Sequence, residues 1–148
     1  VISNLKVVPN FGWPISSYGE HYQHNKRDRS DSYKIAPLYK SHKKHGFEEP
    51  LKFFTPSIGI SQIEFLYNKS NKQMNNNLIV TSMGTKPEEG DLSIHLLKLK
   101  ANEIINHKIV NLDERIRDII FIKEKNKYVL FLETSASIGI IDLNDINN

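Results

Sequence analysis

From residue 58 onward the chain is a series of short apolar runs rich in isoleucine, valine, leucine and phenylalanine: 63–67, 78–83, 93–99, 104–110, 116–123, 127–133 and 138–143. Polar clusters such as Asn75-Asn76-Asn77, Glu88-Glu89-Gly90-Asp91 and Lys125-Asn126 separate them. Runs this short do not sustain helices, and β-branched and aromatic side chains fit a pleated, half-buried surface. Their recurrence every 8–12 residues or so, with turn chemistry between, predicts an antiparallel all-β architecture. Residues 116–118 have some helical propensity, but the Ile119-Ile120-Phe121-Ile122 run reads as a buried strand.

The first four runs predict a four-stranded up-and-down sheet within 58–112. The last three predict a second sheet, within 113–148, of only three strands. Units of about 40–50 residues with four strands each are the blades of a β-propeller. The fold expected is therefore all-β: about two blades, one complete and one three-stranded, belonging to a larger ring. Two blades do not close a ring, because propellers use roughly four or more. The expectation is a C-terminal part of a larger protein, with missing N-terminal blades and a fourth strand for the last blade supplied from elsewhere. The chain opens on Val1 and shows no leader pattern, which fits either a removed leader or missing upstream sequence. A small independent β-sandwich is the competing topology.

Residues 1–57 are different in kind. Five of the six prolines lie between 9 and 57, and a long polar loop at 21–49 contains the cluster His24-Asn25-Lys26-Arg27-Asp28-Arg29. The stretch 21–44 has no sustained 3.6-residue apolar period and reads as an excursion rather than a helix. Composition narrows the function classes. With 148 residues there is room for one ordinary domain, and 39% hydrophobic with 25% charged residues is a globular balance. No apolar run approaches the roughly 20 residues of a membrane-spanning helix. The absence of cysteine excludes disulfides, thiol catalysis and cysteine-based zinc sites. A formal charge of +3 spread over scattered lysines does not point to nucleic acid.

Arg115 and Arg117 are the sharpest local feature. Spaced i, i+2 at a strand start, they share a face and can converge on one anion. Permanently charged, forked guanidinium groups suit a multiply carboxylated ligand. The competing reading is solvated ion pairs with Asp113 and Glu114. Asp118 would face the other way. Asn10 to Pro14, followed by Ser16-Ser17-Tyr18-Gly19, reads as a tight turn, with Trp13 plugging the space between neighbouring sheets. Ser57, in Thr55-Pro56-Ser57-Ile58, can reach a ligand over a sheet end. It lacks the glycine-flanked elbow and assignable partners of a nucleophile. His21, His24, His42 and His45 come in pairs three apart but have no metal-binding frame, and read as solvent-facing loop residues. Lys86, between Gly84 and Gly90, lies in a hairpin loop that lacks phosphate-loop order and has a solvated default.

Taken in order, these segments resemble the C-terminal part of the soluble quinoprotein glucose/sorbosone dehydrogenases. Asn10-Phe11-Gly12-Trp13-Pro14 with Ser17-Tyr18-Gly19 is similar to the family's N-Y-G-W-P turn, with Phe11 in place of tyrosine. The stretch 50–67 resembles its W-x-P-S/T-x-A-P-S entry, with Thr55, Gly59 and Ile60 departing from the pattern. Arg115-Ile116-Arg117-Asp118 resembles its R-x-R-D-V strand, with Ile119 for valine.

The resemblance implies a six-bladed propeller that binds pyrroloquinoline quinone (PQQ), with calcium, and oxidises the anomeric hydroxyl of an aldose to a lactone. It implies that Arg115 and Arg117 hold the cofactor's carboxylates, that Ser57 contacts the cofactor, and that Lys86 stands near a cofactor-facing lysine position. The catalytic histidine and the calcium ligands would lie upstream, so this chain carries no catalytic residue and no metal ligand and is inactive alone. An electron acceptor and a periplasmic or secreted location follow from the same resemblance. Two rivals stand beside it. One is a non-catalytic extracellular propeller binding carbohydrate or protein, favoured by the departures at Thr55 and Gly84. The other is a basic module using residues 26–44 on anionic surfaces, weakened by Asp28, Asp31, Glu48 and Glu49.

Overall fold

The structure, a computed structural model, describes residues 8–21, 29–68, 73–84 and 91–142. The chain divides into two compact units, Val1–Pro56 and Ser57–Asn148.

The first unit is held by turns and side-chain contacts. Gly12 adopts φ +86°, and a Cβ there would stand 2.8 Å from the Phe47 ring, so the Asn10–Pro14 turn requires glycine at its centre. The Asn10 Oδ1 accepts the Gly12 N–H at 2.9 Å, and the Gly12 carbonyl accepts the Ser16 N–H at 2.8 Å. A parallel bridge follows, in which Ser17 N–H donates to Tyr39 O and Tyr39 N–H to Ile15 O. Trp13 does not plug a gap: it is 72% exposed, because the turn aims its ring outward. The polar loop also contains a helix that periodicity did not reveal, α1 (Arg29–Ile35). Seven residues are fewer than two turns, too few for a 3.6-residue apolar stripe to show. The helix ends with Ala36 N–H donating to Ser32 O, just before Pro37, whose ring disfavours helical geometry at Ala36. A single 3-10 turn spans Lys43–His45 and closes on Gly46 at φ +78°.

The second unit carries the strands: β1 (Ile60–Asn68), β2 (Gln73–Ser82), β3 (Ser93–Lys100), β4 (Glu103–Asn111), β5 (Ile116–Ile122), β6 (Lys127–Leu132) and β7 (Ser137–Asp142). They form two antiparallel meanders, one in the order β1-β2-β3-β4 and one in the order β5-β6-β7. This is the expected all-β fold, one four-stranded and one three-stranded blade of a partial propeller. Asn75-Asn76-Asn77 is not a turn but part of β2, where Asn77 pairs with Lys98 and Met74 with Tyr67. Pairing to strands on both sides overrides the low strand propensity of asparagine.

The core lies between the two sheets. Leu66, Ile79 and Ile94 from the first meet Ile116, Ile119, Tyr128 and Leu130 from the second. Tyr128 is wholly buried, so its hydroxyl needs partners. It donates to Phe65 O and accepts from Tyr67 N–H, both at 2.9 Å, at the point where the β1–β2 register shifts and leaves those groups out of the ladder. Burial raises its phenol pKa above the ordinary value. A polar patch is buried on β3: His95 lies 2.7 Å from His107 across the strand pair and 3.0 Å from Asp91, beside Ser82 and Ser93.

Candidate functional site

The arginine pair is set by an irregularity in β5. The β5–β6 register runs regularly from Ile122–Lys127 to Asp118–Phe131, then shifts so that Ile116 faces Leu132. Arg117 is the extra residue of that shift. In an unbroken ladder Glu133 would stand opposite Ile116. The shift brings it opposite Arg115, whose carbonyl accepts the Glu133 N–H at 2.8 Å. Both arginines then reach the same carboxylate oxygen. Arg117 Nε lies 2.5 Å from Glu133 Oε2, and Arg115 Nε lies 3.3 Å from it.

The arginines thus converge on an anion, but neither Asp113 nor Glu114 supplies it. Asp113 Oδ1 accepts from Asn111 Nδ2, and Glu114 Oε2 accepts the Ser135 N–H. Glu133 is the residue that reading along the sequence missed. The signal that finds it is cross-strand rather than local: the β5–β6 register together with its one-residue slip. Two guanidinium groups on one carboxylate leave one net positive charge, partly exposed, with side-chain exposures of 21% for Arg115 and 57% for Arg117. Asp118 accepts from Gln62 Nε2 of β1 at 3.2 Å and from the Ile119 N–H at 2.8 Å. It therefore ties β5 to β1. Its charge, after burial, also helps to raise the Glu64 pKa above its ordinary value.

Ser57 is exposed at the entry to β1, and its Oγ accepts the Gly59 N–H at 3.3 Å. Gly59 departs from the family pattern for a visible reason. It adopts φ +60°, and a Cβ there would stand 2.9 Å from the Gly84 carbonyl oxygen. Gly84 N–H donates to Ile58 O and Met83 N–H to Gly59 O, so two backbones meet where side chains would not fit. Lys86 lies outside the described residues.

The loop histidines differ: His45 is exposed, as expected, and stacks on Tyr39, whereas His42 is buried and tilted against Tyr18. His21 bonds Ala36 O at 2.6 Å, and His24 lies outside the described residues. Among the described residues no group of three or more histidine, aspartate or glutamate side chains is arranged to hold a metal ion. Beside His42, Tyr18 OH donates to Glu49 Oε2 at 2.9 Å and its ring stacks on Phe53. The hydrogen bond to Glu49 raises the Tyr18 pKa, and the Lys43 N–H holds the Glu49 carboxyl below its ordinary value.

Against solved structures, the chain is similar to a crystal structure of glucose dehydrogenase, with a TM-score of 0.63 and 19% identity. That match covers 89% of this chain and 34% of the other. A second structure named glucose dehydrogenase matches with a TM-score of 0.57 and 19% identity, covering 84% of this chain and 31% of its own. These likenesses concern the fold, and the chain spans about a third of the length of either structure. No curated protein matches it. The sequence profile of the Glucose / Sorbosone dehydrogenase family, however, matches residues 2–141, nearly the whole chain, and by that match the chain belongs to the glucose/sorbosone dehydrogenase family.

Proposed function

We propose that the chain is the C-terminal portion of a PQQ-dependent aldose dehydrogenase with a six-bladed propeller, and that it forms one side of the cofactor cleft. The observation that carries this reading is the convergence of Arg115 and Arg117 on a single carboxylate oxygen. A pair already organised around one carboxylate is the donor set that a multiply carboxylated quinone requires. When bound, PQQ supplies the two-electron acceptor for the hydride that leaves the anomeric carbon as the aldose becomes a lactone. Arg115 and Arg117 hold the cofactor's carboxylates, Ser57 offers a hydroxyl at the strand entry, and Lys86 adds a cation. The general base and the calcium ligands belong to the missing blades, so the chain alone does not turn over sugar. An electron acceptor completes the cycle, and family likeness supports a periplasmic or secreted location. Among the described residues no helix is long and apolar enough to cross a membrane.

The test is titration of the chain with PQQ and calcium, followed by quinone absorbance. Saturable binding that weakens with salt and disappears in the double variant Arg115→Ala/Arg117→Ala is expected, with no aldose-dependent dye reduction. Unperturbed absorbance, or binding indifferent to both arginines, would sink the reading.

A second reading, a non-catalytic carbohydrate-binding propeller, is favoured by the exposed rings of Phe11 (65%) and Trp13 (72%). Flat aromatic faces give sugars an apolar contact surface with little conformational entropy to lose. Trp13 is the sole tryptophan, so a saturable fluorescence change with glucose, in a chain that ignores PQQ, would select this reading.

A further inference from the structure

We infer that Glu133 is the positioning residue of the arginine pair, holding Arg115 and Arg117 as one receptor for a multiply charged carboxylate; this rests on the reading of both arginines as carboxylate holders. The two contacts run from Nε of each arginine to the same atom, Glu133 Oε2. A guanidinium has five N–H donors in a planar fork, and the ion-pair contact of each arginine to Glu133 is made at Nε, the nitrogen nearest the side-chain stem. Among the described residues neither arginine is paired with a carboxylate other than Glu133, which leaves the rest of both forks for a ligand.

Glu133 is itself fixed. Its N–H donates to the Arg115 carbonyl, and it follows directly on β6, whose last residue, Leu132, pairs with both Ile116 and Ser137. Without it, two like charges two residues apart would separate into different rotamers. Arginine side chains lose much rotamer entropy on ordering, and a pair ordered before the ligand arrives binds it more tightly. The remaining single positive charge also sets selectivity. A monocarboxylate gains little from a site already carrying one carboxylate, whereas a ligand with several carboxylates engages both forks together.

The variants Glu133→Gln and Glu133→Ala separate position from charge, because both remove the negative charge and only glutamine keeps an oxygen acceptor. Two readouts apply to the intact chain, with circular dichroism confirming that the variants fold. One is the 15N-detected Nε–Hε resonances of Arg115 and Arg117. The other is calorimetric affinity for benzene-1,3,5-tricarboxylate at low salt. The resonances are expected to be slowly exchanging in the parent and in Glu133→Gln, and lost to exchange in Glu133→Ala. The tricarboxylate is expected to bind Glu133→Ala about tenfold more weakly than Glu133→Gln. Equal exchange and equal affinity in the two variants overturn the positioning role. Resonances that depend on Glu133, in a chain that binds no tricarboxylate or whose binding survives loss of both arginines, overturn instead the carboxylate-holding reading on which the inference rests.

Discussion

The two units are stabilised by different physics. In Ser57–Asn148 a layer of aliphatic side chains lies between two sheets, and Ile79, Ile116 and Ile119 are wholly buried. In Val1–Pro56 the comparable contacts are rings stacked near the surface, Tyr18 on Phe53 at 4.0 Å and Tyr39 on His45 at 4.1 Å, with Phe53 and Tyr39 each about half exposed. Aliphatic burial is non-directional and scales with area removed from water, whereas exposed stacking is worth little beyond its own contact. The strand-bearing unit therefore spreads its stability over a shared core. The other unit depends on individual turns, and Gly12 and Glu49 matter there more than any apolar side chain left at the surface.

The sharpest way to break this comparison is a pair of truncations. Ile119→Ala removes a fully buried side chain between the sheets and is expected to cost about 3 kcal/mol, from lost transfer energy and the cavity left behind. Phe53→Ala removes a larger ring but one that is half exposed, and should cost about 1 kcal/mol. Denaturant unfolding of both variants, followed by far-ultraviolet circular dichroism and by Trp13 fluorescence, checks the ordering. Equal costs would mean that the first unit hides a core of its own.

Next in size is Tyr128→Phe. The ring stays, so packing between the sheets is kept, but the Phe65 carbonyl and the Tyr67 N–H lose their partner where the β1–β2 ladder already shifts. Leaving buried backbone groups unsatisfied costs about 1–3 kcal/mol. The parent carries a pH signature that the variant lacks. Because the phenol pKa is raised by burial, its contribution is complete below the ordinary value of 10.0 and is lost as pH rises through the folded value. An alkaline loss of stability persisting unchanged in Tyr128→Phe would remove the hydroxyl from the account.

How much of this the sequence disclosed follows from the same contrast. The seven strands were legible because β-branched runs and turn clusters report the pleated period directly, and Arg115 and Arg117 were legible because they stand two apart at the start of one strand. Glu133 was not. It lies just past the end of the next strand, and a one-residue register slip at Arg117, which no local propensity encodes, decides that it meets both arginines. The inclusion of Asn75-Asn76-Asn77 in β2 was hidden for a related reason, since pairing partners rather than asparagine's own preference hold it extended. In the first unit the helix α1 was too short to show a period. The outward aim of Trp13 depends on a turn whose geometry rests on Gly12 and the Phe47 ring, residues far apart in sequence.

The smallest effect sharpens the comparison most, because two carboxylates, one in each unit, respond to acid with opposite signs. Glu49 is held below its ordinary value of 4.5, first by the Lys43 N–H and then, against some desolvation, by Tyr18. Its contribution is complete above that value and is lost as pH falls through the lower folded value. Glu64 is raised, first by burial and then by the charge of Asp118. Its ionised form therefore burdens the second unit at neutral pH, and the burden is relieved as pH falls toward the ordinary value and below. Glu64→Gln should then raise the thermal midpoint of the strand-bearing unit slightly at pH 7 and leave it unchanged near pH 3. Glu49→Gln should weaken the first unit at pH 7 and lose its effect at the same acid limit. Trp13 reports the first unit and strand dichroism the second, so one acid titration of the parent and the two variants reads both signs. Variants that shift in the same direction at neutral pH would show that the two carboxylates occupy like environments, contrary to the geometry around Lys43 and Asp118.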